Sequence, residues 1–271
     1  MKTSVRSLRG RARVCNNSFM VPALALVLAT ALSSAAPAGP AAAASSQTLA
    51  SLVARADAAY VRRADPAELA AVGAALDEAE RLGPEDYEVL WRRARLEVWL
   101  ADDPSLPKDE QTRLGKRAWD YGERAIRANP ARVEGWNYAA AGMGQYALGL
   151  GILRALREGL EGKFKDRLSH AEKIDPGFGG GAIQTAWGRF WYELPWPKYD
   201  ARKSERALKD ALGRNPDNVR ARVYLADTYR KQGRKREARE QLEKAAADAP
   251  GRYDEAEERR WQGIARRKLA E

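Results

Sequence analysis

The chain has 271 residues, 47 lysines and arginines against 37 acidic residues, one histidine and one cysteine, for a formal charge of +10. With His170 and Cys15 as its sole members of those types, it can build neither a Cys/His nucleophile pair nor a histidine-rich metal centre. The basic excess is mixed with carboxylates along the chain, which argues against nucleic acid held by counterion release.

The first residues read as an address. Lys2, Arg6, Arg9, Arg11 and Arg13 form a basic region, Phe19 to Leu32 is apolar and uncharged, and small residues follow from Ser33. This pattern predicts a secretory signal peptide over residues 1–44, cleaved after Ala42-Ala43-Ala44, with Ala36-Pro37-Ala38 as a second site. An uncleaved anchor is the alternative. Cys15 precedes the apolar run, so there is no lipobox cysteine, and the expectation is an exported protein, periplasmic or secreted, without a lipid anchor. Removing the leader leaves 42 basic and 37 acidic residues and no cysteine, so residues 45–271 must fold as a single domain without disulfides.

From Ser45 onward apolar positions recur at three and four, not at two, which predicts helices throughout. Asp65-Pro66-Ala67-Glu68 offers an N-cap, a proline at the first helical position and a capping-box glutamate, and Leu82-Gly83-Pro84 closes that helix. Prolines 84, 130, 176, 216 and 250 then mark unit ends, most of them preceded by a leucine and an alanine at fixed offsets: Leu76 and Ala79, Leu168 and Ala171, Leu208 and Ala211, Leu242 and Ala245. In the second unit Ala118 and Ala125 precede Pro130. The spacings of 46, 46, 40 and 34 residues place insertions at 101–108, within 144–162 and at 193–199.

The most regular unit spans residues 219–252. Leu225, Ala226 and Tyr229 share a face of one helix, Gly233 turns the chain, Ala238, Leu242 and Ala245 follow on a second, and Pro250 ends it. This resembles a tetratricopeptide repeat (TPR), in which small residues sit where two antiparallel helices cross. The fold expected is all-α, a TPR-like helix-pair solenoid with insertions and a C-terminal capping helix over roughly 253–268. The first helix of the last repeat offers Val223 and Asp227 where a carboxylate clamp would need lysine and asparagine.

The central block is less generic. Asp175-Pro176, a glycine-rich turn, Trp187-Gly188-Arg189-Phe190, Leu194-Pro195, then Ser204 to Arg214 and Asn215-Pro216-Asp217-Asn218, resemble the T component of TRAP transporters across residues 136–233. The resemblance implies a non-enzymatic periplasmic protein that associates with a solute-binding protein and presents a cavity for an apolar ligand. A generic scaffold for an envelope complex is the alternative.

Within this block the Gly177-Phe178-Gly179-Gly180-Gly181 run lacks the Gly-Lys-Ser/Thr ending of a phosphate loop, so it reads as a turn. Trp187 and Trp191 lie four apart and share a helical face with Phe190 beside them, filling the interior of a helix pair or meeting a ligand. Arg189 is turned away from them, suited to an acidic ligand or partner or to an internal salt bridge. Trp196, between Pro195 and Pro197, is held on a stiff loop as a contact residue. Gly142, Gly144, Gly149 and Gly151 weaken a helical run, so close packing or a cavity wall must require them. Asn137 and Gln145 in that run face a ligand or bond to neighbouring backbone. The candidate binding set is therefore Arg189, Phe190, Trp191, Trp196, Asn137 and Gln145, with a small apolar or acidic ligand and a homo-oligomer left open.

No catalytic residue, cofactor or metal is expected. His170 reads as an ordinary exposed side chain, and Asp102-Asp103 and Glu257-Glu258 read as solvated carboxylates. The basic run 230–239 straddles a turn, lacks interleaved aromatics and reads as solvated, not as a nucleic-acid surface.

Overall fold

Asp65 caps its helix as its sequence context predicts, its carboxylate accepting the Ala67 N–H at 2.8 Å. Glu68 does not close the capping box. It pairs instead with Arg62 at 2.8 Å, because the Asp65 N–H is already taken by the Arg62 carbonyl. The same logic of local caps and proline stops runs down the chain in this computed structural model, which describes residues 40–247 and 250–271, with side chains from Thr48 onward. The basic and apolar segments of the expected leader and Cys15 lie outside the described residues.

Twelve α-helices are formed among the described residues, and the solenoid is built from antiparallel pairs. They are α1 (Pro40–Val61) with α2 (Pro66–Leu82), and α3 (Tyr87–Ala101) with α4 (Lys108–Ala128). Next come α5 (Val133–Leu150) with α7 (Leu160–Ile174), α8 (Ala182–Glu193) with α9 (Ala201–Arg214), and α10 (Val219–Lys231) with α11 (Lys235–Ala247). The short α6 (Ile152–Arg157) fills one expected insertion, and α12 (Glu255–Ala270) ends the chain. The leucine–alanine pairs before the unit-ending prolines are the interior: Leu76, Ala79, Leu168, Ala171, Leu208, Ala211, Leu242 and Ala245 are all fully buried. Fully burying one such leucine contributes about 1.5–3 kcal/mol, and this repeated burial outweighs the modest helix propensity of the charged outer faces.

The second unit departs from that rule. Gly122 stands where the other units carry leucine, and α4 and α5 approach until backbone meets backbone. A Cβ on Gly122 would lie 2.6 Å from Ala139 N, and one on Gly142 would lie 2.4 Å from Trp119 N. The glycines of α5 therefore serve close packing, while Gly144 faces Phe164 across the interior. The Gly179-Gly180-Gly181 run has positive φ throughout, turning the chain between α7 and α8 where a side chain on Gly180 would strike Tyr253.

Helix α12 buries Trp261 and Ala265 against α10 and α11, as a cap should. Its other face does not end the stack in solvent. Arg260 donates to the Trp99 carbonyl at 2.8 Å and stacks over the Trp99 ring at 3.3 Å, and Asp254, its N-cap, takes the Arg63 guanidinium at 2.6 Å. The solenoid thus curls until its last helices reach its first ones.

Two glycine substitutions separate packing from propensity. Gly142→Ala is expected to destabilise by about 1–3 kcal/mol through overpacking against α4. Gly73→Ala on α2, where an added methyl meets nothing within 4 Å, should stabilise by about 0.5–1 kcal/mol. Urea denaturation of both variants checks the pair.

Candidate functional site: an aromatic cavity inside the closed solenoid

The first helix of each pair turns one face toward the inside of the curl, spaced i, i+4, i+8 on α3. On α3 the stripe is Trp91, Arg95 and Trp99; α5 adds Asn137, Tyr138 and Gly144; α8 adds Thr185, Arg189 and Phe190; α10 adds Arg220 and Tyr224. Together with Tyr60, Phe164, Phe178 and Tyr253 these walls enclose a cavity of about 830 Å³. Trp91 stacks on Tyr138 at 6.1 Å, Phe178 meets Tyr138 edge-on at 6.4 Å, and Phe164 stacks on Phe190 at 5.0 Å. Val61 and Tyr253 line the cavity and are themselves exposed, so it opens to solvent beside them.

The arginines of the wall are held by rings and carboxylates at once. Arg63 lies over Tyr60 and Trp99 and pairs with Asp254. Arg95 lies over Tyr60 at 3.8 Å and pairs with Asp57 at 2.6 Å. Arg189 lies over Tyr224 at 4.6 Å and pairs with Glu193 at 2.5 Å and Asp227 at 3.2 Å. Arg220 pairs with Glu257 at 2.9 Å and Asp102 at 2.7 Å. Burial alone would lower the Arg189 and Arg220 values, but Tyr224, Glu193 and Asp227 around Arg189, and Asp102 and Glu257 around Arg220, outweigh it and hold both guanidinium groups above their ordinary range. Burial pushes the Tyr224 hydroxyl up to about 12 and raises Tyr138 as well, so both phenols are neutral over the physiological range.

Asp102 is the junction of the closure. Its side chain is 8 % exposed, one oxygen accepting from Gln145 at 2.8 Å and the other from Arg220. The expectation of solvated carboxylates is overturned for Asp102 and Glu258, which the closure takes out of water, while Glu257 stays about one-third exposed beside Arg220. Glu258 is 4 % exposed and accepts the backbone N–H groups of Gly251, Tyr253 and Asp254.

The six residues expected to bind are divided by the structure. Asn137, Gln145, Arg189 and Phe190 line the cavity. Gln145 is fully engaged, taking Gln111 at 2.9 Å while giving to Asp102, and Arg189 is committed to its carboxylates. Trp191 faces away, beside Trp187 and under Lys203 at 4.3 Å. Trp196 stands outside on the α8–α9 loop, 88 % exposed. His170 is not simply a free surface side chain: it stacks on Trp136 at 4.3 Å while its Nδ1 bonds the Asp166 carbonyl. Val223 is fully buried and Asp227 holds Arg189 and Lys268, which leaves no groove at the position of a carboxylate clamp. The basic run 230–239 is largely neutralised, Arg234 by Glu205 and Glu237, Arg236 by Glu240 and Arg239 by Glu243. Sequence reading missed Trp91, Arg95 and Trp99, although their four-residue spacing on one helix was a usable signal. It had no signal for Asp102 meeting Arg220.

The tetratricopeptide repeat family matches residues 199–259, from the α8–α9 loop into α12. Among solved structures the chain is similar to a thermophilic TPR protein of Thermus thermophilus, at 21 % identity with a TM-score of 0.58, covering 82 % of this chain and 98 % of that one. The fold is a TPR-like solenoid. Yeast Tom70 is a more distant likeness, at 14 % identity and a TM-score of 0.45 over 77 % of this chain and 39 % of its own. No curated protein matches. Among the described residues no cluster of side chains is arranged to hold a metal ion, and no helix is long and apolar enough to cross a membrane.

Breaking the closure at its junction should be measurable. Asp102→Ala is expected to cost about 3 kcal/mol, the low end for a broken buried pair because Glu257 still faces Arg220. The radius of gyration from solution scattering should rise as the ends part. The Asp57 carboxyl gives a pH signature: burial works to raise it, but Arg92 and Arg95 outweigh that and hold it below its ordinary 3.8. A carboxyl depressed in the fold contributes stability in full above its unfolded value and loses it as pH falls through the folded value. Denaturation between about pH 6 and about pH 2 should therefore show an acid-side loss that is smaller in Asp57→Asn.

Proposed function

We propose that this chain is a non-enzymatic protein-interaction scaffold that docks its partner on the outside of the ring. Closure through Arg63, Arg220 and Arg260 removes the open concave groove along which helix-pair arrays otherwise present a peptide surface. The observation that carries the reading is Trp196, a tryptophan 88 % exposed between two prolines. A large ring on a short, proline-braced loop loses little freedom on docking, and exposure of this degree leaves its apolar surface to a partner. The basic and apolar leader pattern supports an envelope location.

A second reading, that the partner is the solute-binding protein of a TRAP-type transport system, is favoured by the cavity: a scaffold with an internal chamber of about 830 Å³ is suited to receive or hold a solute. Recovery of a solute-binding protein would select this reading over an envelope scaffold.

Crosslinking pull-down of the tagged chain from an envelope extract tests the scaffold. A partner should be captured by the wild type and lost from Trp196→Ala, whose stability should stay within about 0.5 kcal/mol of wild type because the side chain packs on almost nothing. Undiminished capture by the variant rejects the outer surface at Trp196.

A further inference from the structure

The charges of the cavity wall are paired, although the Nε–H groups of Arg63, Arg95 and Arg189 are buried without an acceptor, and its amides point to what it takes. Its arginines face Asp254, Asp57, Asp227 and Asp102 at 2.6–3.2 Å. Its carboxylates are tied in turn: Glu134 to Arg132, Glu161 to Lys165, Asp217 to Arg252, Glu255 to Arg259, and Glu258 to three backbone N–H groups. A charged guest would have to shed its hydration with no countercharge free to receive it. The acidic ligand left open by the sequence is thus disfavoured by the wall.

One wall amide is different. Asn137 is 8 % exposed, lines the cavity, and makes no hydrogen bond with any described residue. The other wall amides are satisfied: Gln145 by Gln111 and Asp102, Asn218 by Gly180, Thr185 and the Ala221 N–H. Its carboxamide nitrogen and oxygen open onto the cavity without a protein partner, so a guest can pair with both. Around it the rings of Trp91, Tyr138 and Phe178 line the chamber, and the neutral hydroxyls of Tyr138 and Tyr224 add polar points without charge.

We infer that this cavity is a binding site for an uncharged, planar small molecule whose adjacent hydrogen-bond donor and acceptor pair with the Asn137 carboxamide, its ring lying among Trp91, Tyr138 and Phe178. An aryl carboxamide or a neutral heterocyclic lactam has this chemistry. The site goes beyond the scaffold reading and is independent of Trp196, so failure at either place leaves the other standing.

Saturation-transfer NMR on the purified chain tests it with three probes of one size: benzamide, benzoate and toluene. Benzamide should bind, benzoate should bind about tenfold more weakly or not at all, and toluene should bind without regard to residue 137. Asn137→Leu, nearly isosteric, should weaken benzamide about tenfold and leave toluene unchanged. Asn137→Ala serves the same comparison if the leucine variant does not fold. Benzoate binding as well as benzamide, or benzamide binding unaltered in a folded Asn137 variant, would overturn the assignment. So would the absence of all three probes from the wild-type cavity, and the probe comparison on wild type stands whatever the variants do.

Discussion

The ion pair between Asp102 and Arg220 is the interaction on which the cavity depends. A stack of helix pairs is in principle open-ended, each unit touching only its neighbours. Here a carboxylate in the first insertion reaches the first helix of the last repeat, and the Gln145 amide fixes its second oxygen. Buried ion pairs contribute little net stability against apolar replacements of the same shape. Their effect is to choose one arrangement among many, and this pair chooses the closed one. Arg63 on Asp254 and Arg260 on Trp99 act at the same seam, so the closure is distributed over three arginines.

Arginine is suited to this work because a guanidinium can stack on a ring and pair with a carboxylate at once. Arg63, Arg95 and Arg189 each do both. The result is an interior rich in charge with almost no charge to spare. That separates it from an electrostatic funnel, where one sign dominates and steers a counter-ion inward. It also explains how 31 % charged residues coexist with a chamber bounded by tryptophan, tyrosine and phenylalanine.

The helix pairs are legible in the sequence because the information is local. A leucine and an alanine at fixed offsets before Pro84, Pro176, Pro216 and Pro250 report directly on a face that must be buried. The second unit is harder, since Gly122 at the leucine position makes sense only against Ala139 of a neighbouring helix. Asn137, Arg189 and Phe190 stand out as unusual residues, but whether they look into a cavity depends on the curvature of the whole stack. Trp191 shares a helix with Arg189 and Phe190 and faces the other way. Asp102 reads as a solvated loop residue because its partner is 118 positions away, beyond the reach of any spacing argument.

That separation in sequence also sets the entropic cost of the closure. The helix pairs join residues close along the chain, whereas Arg63 and Asp254 lie 191 positions apart and Asp102 and Arg220 lie 118 apart. Joining such distant points closes long loops of chain, which costs more conformational entropy than pairing neighbouring helices. The chamber's opening beside Val61 and Tyr253 lies at this same seam, next to the Arg63–Asp254 pair, so access to it costs no helix its hydrogen bonds.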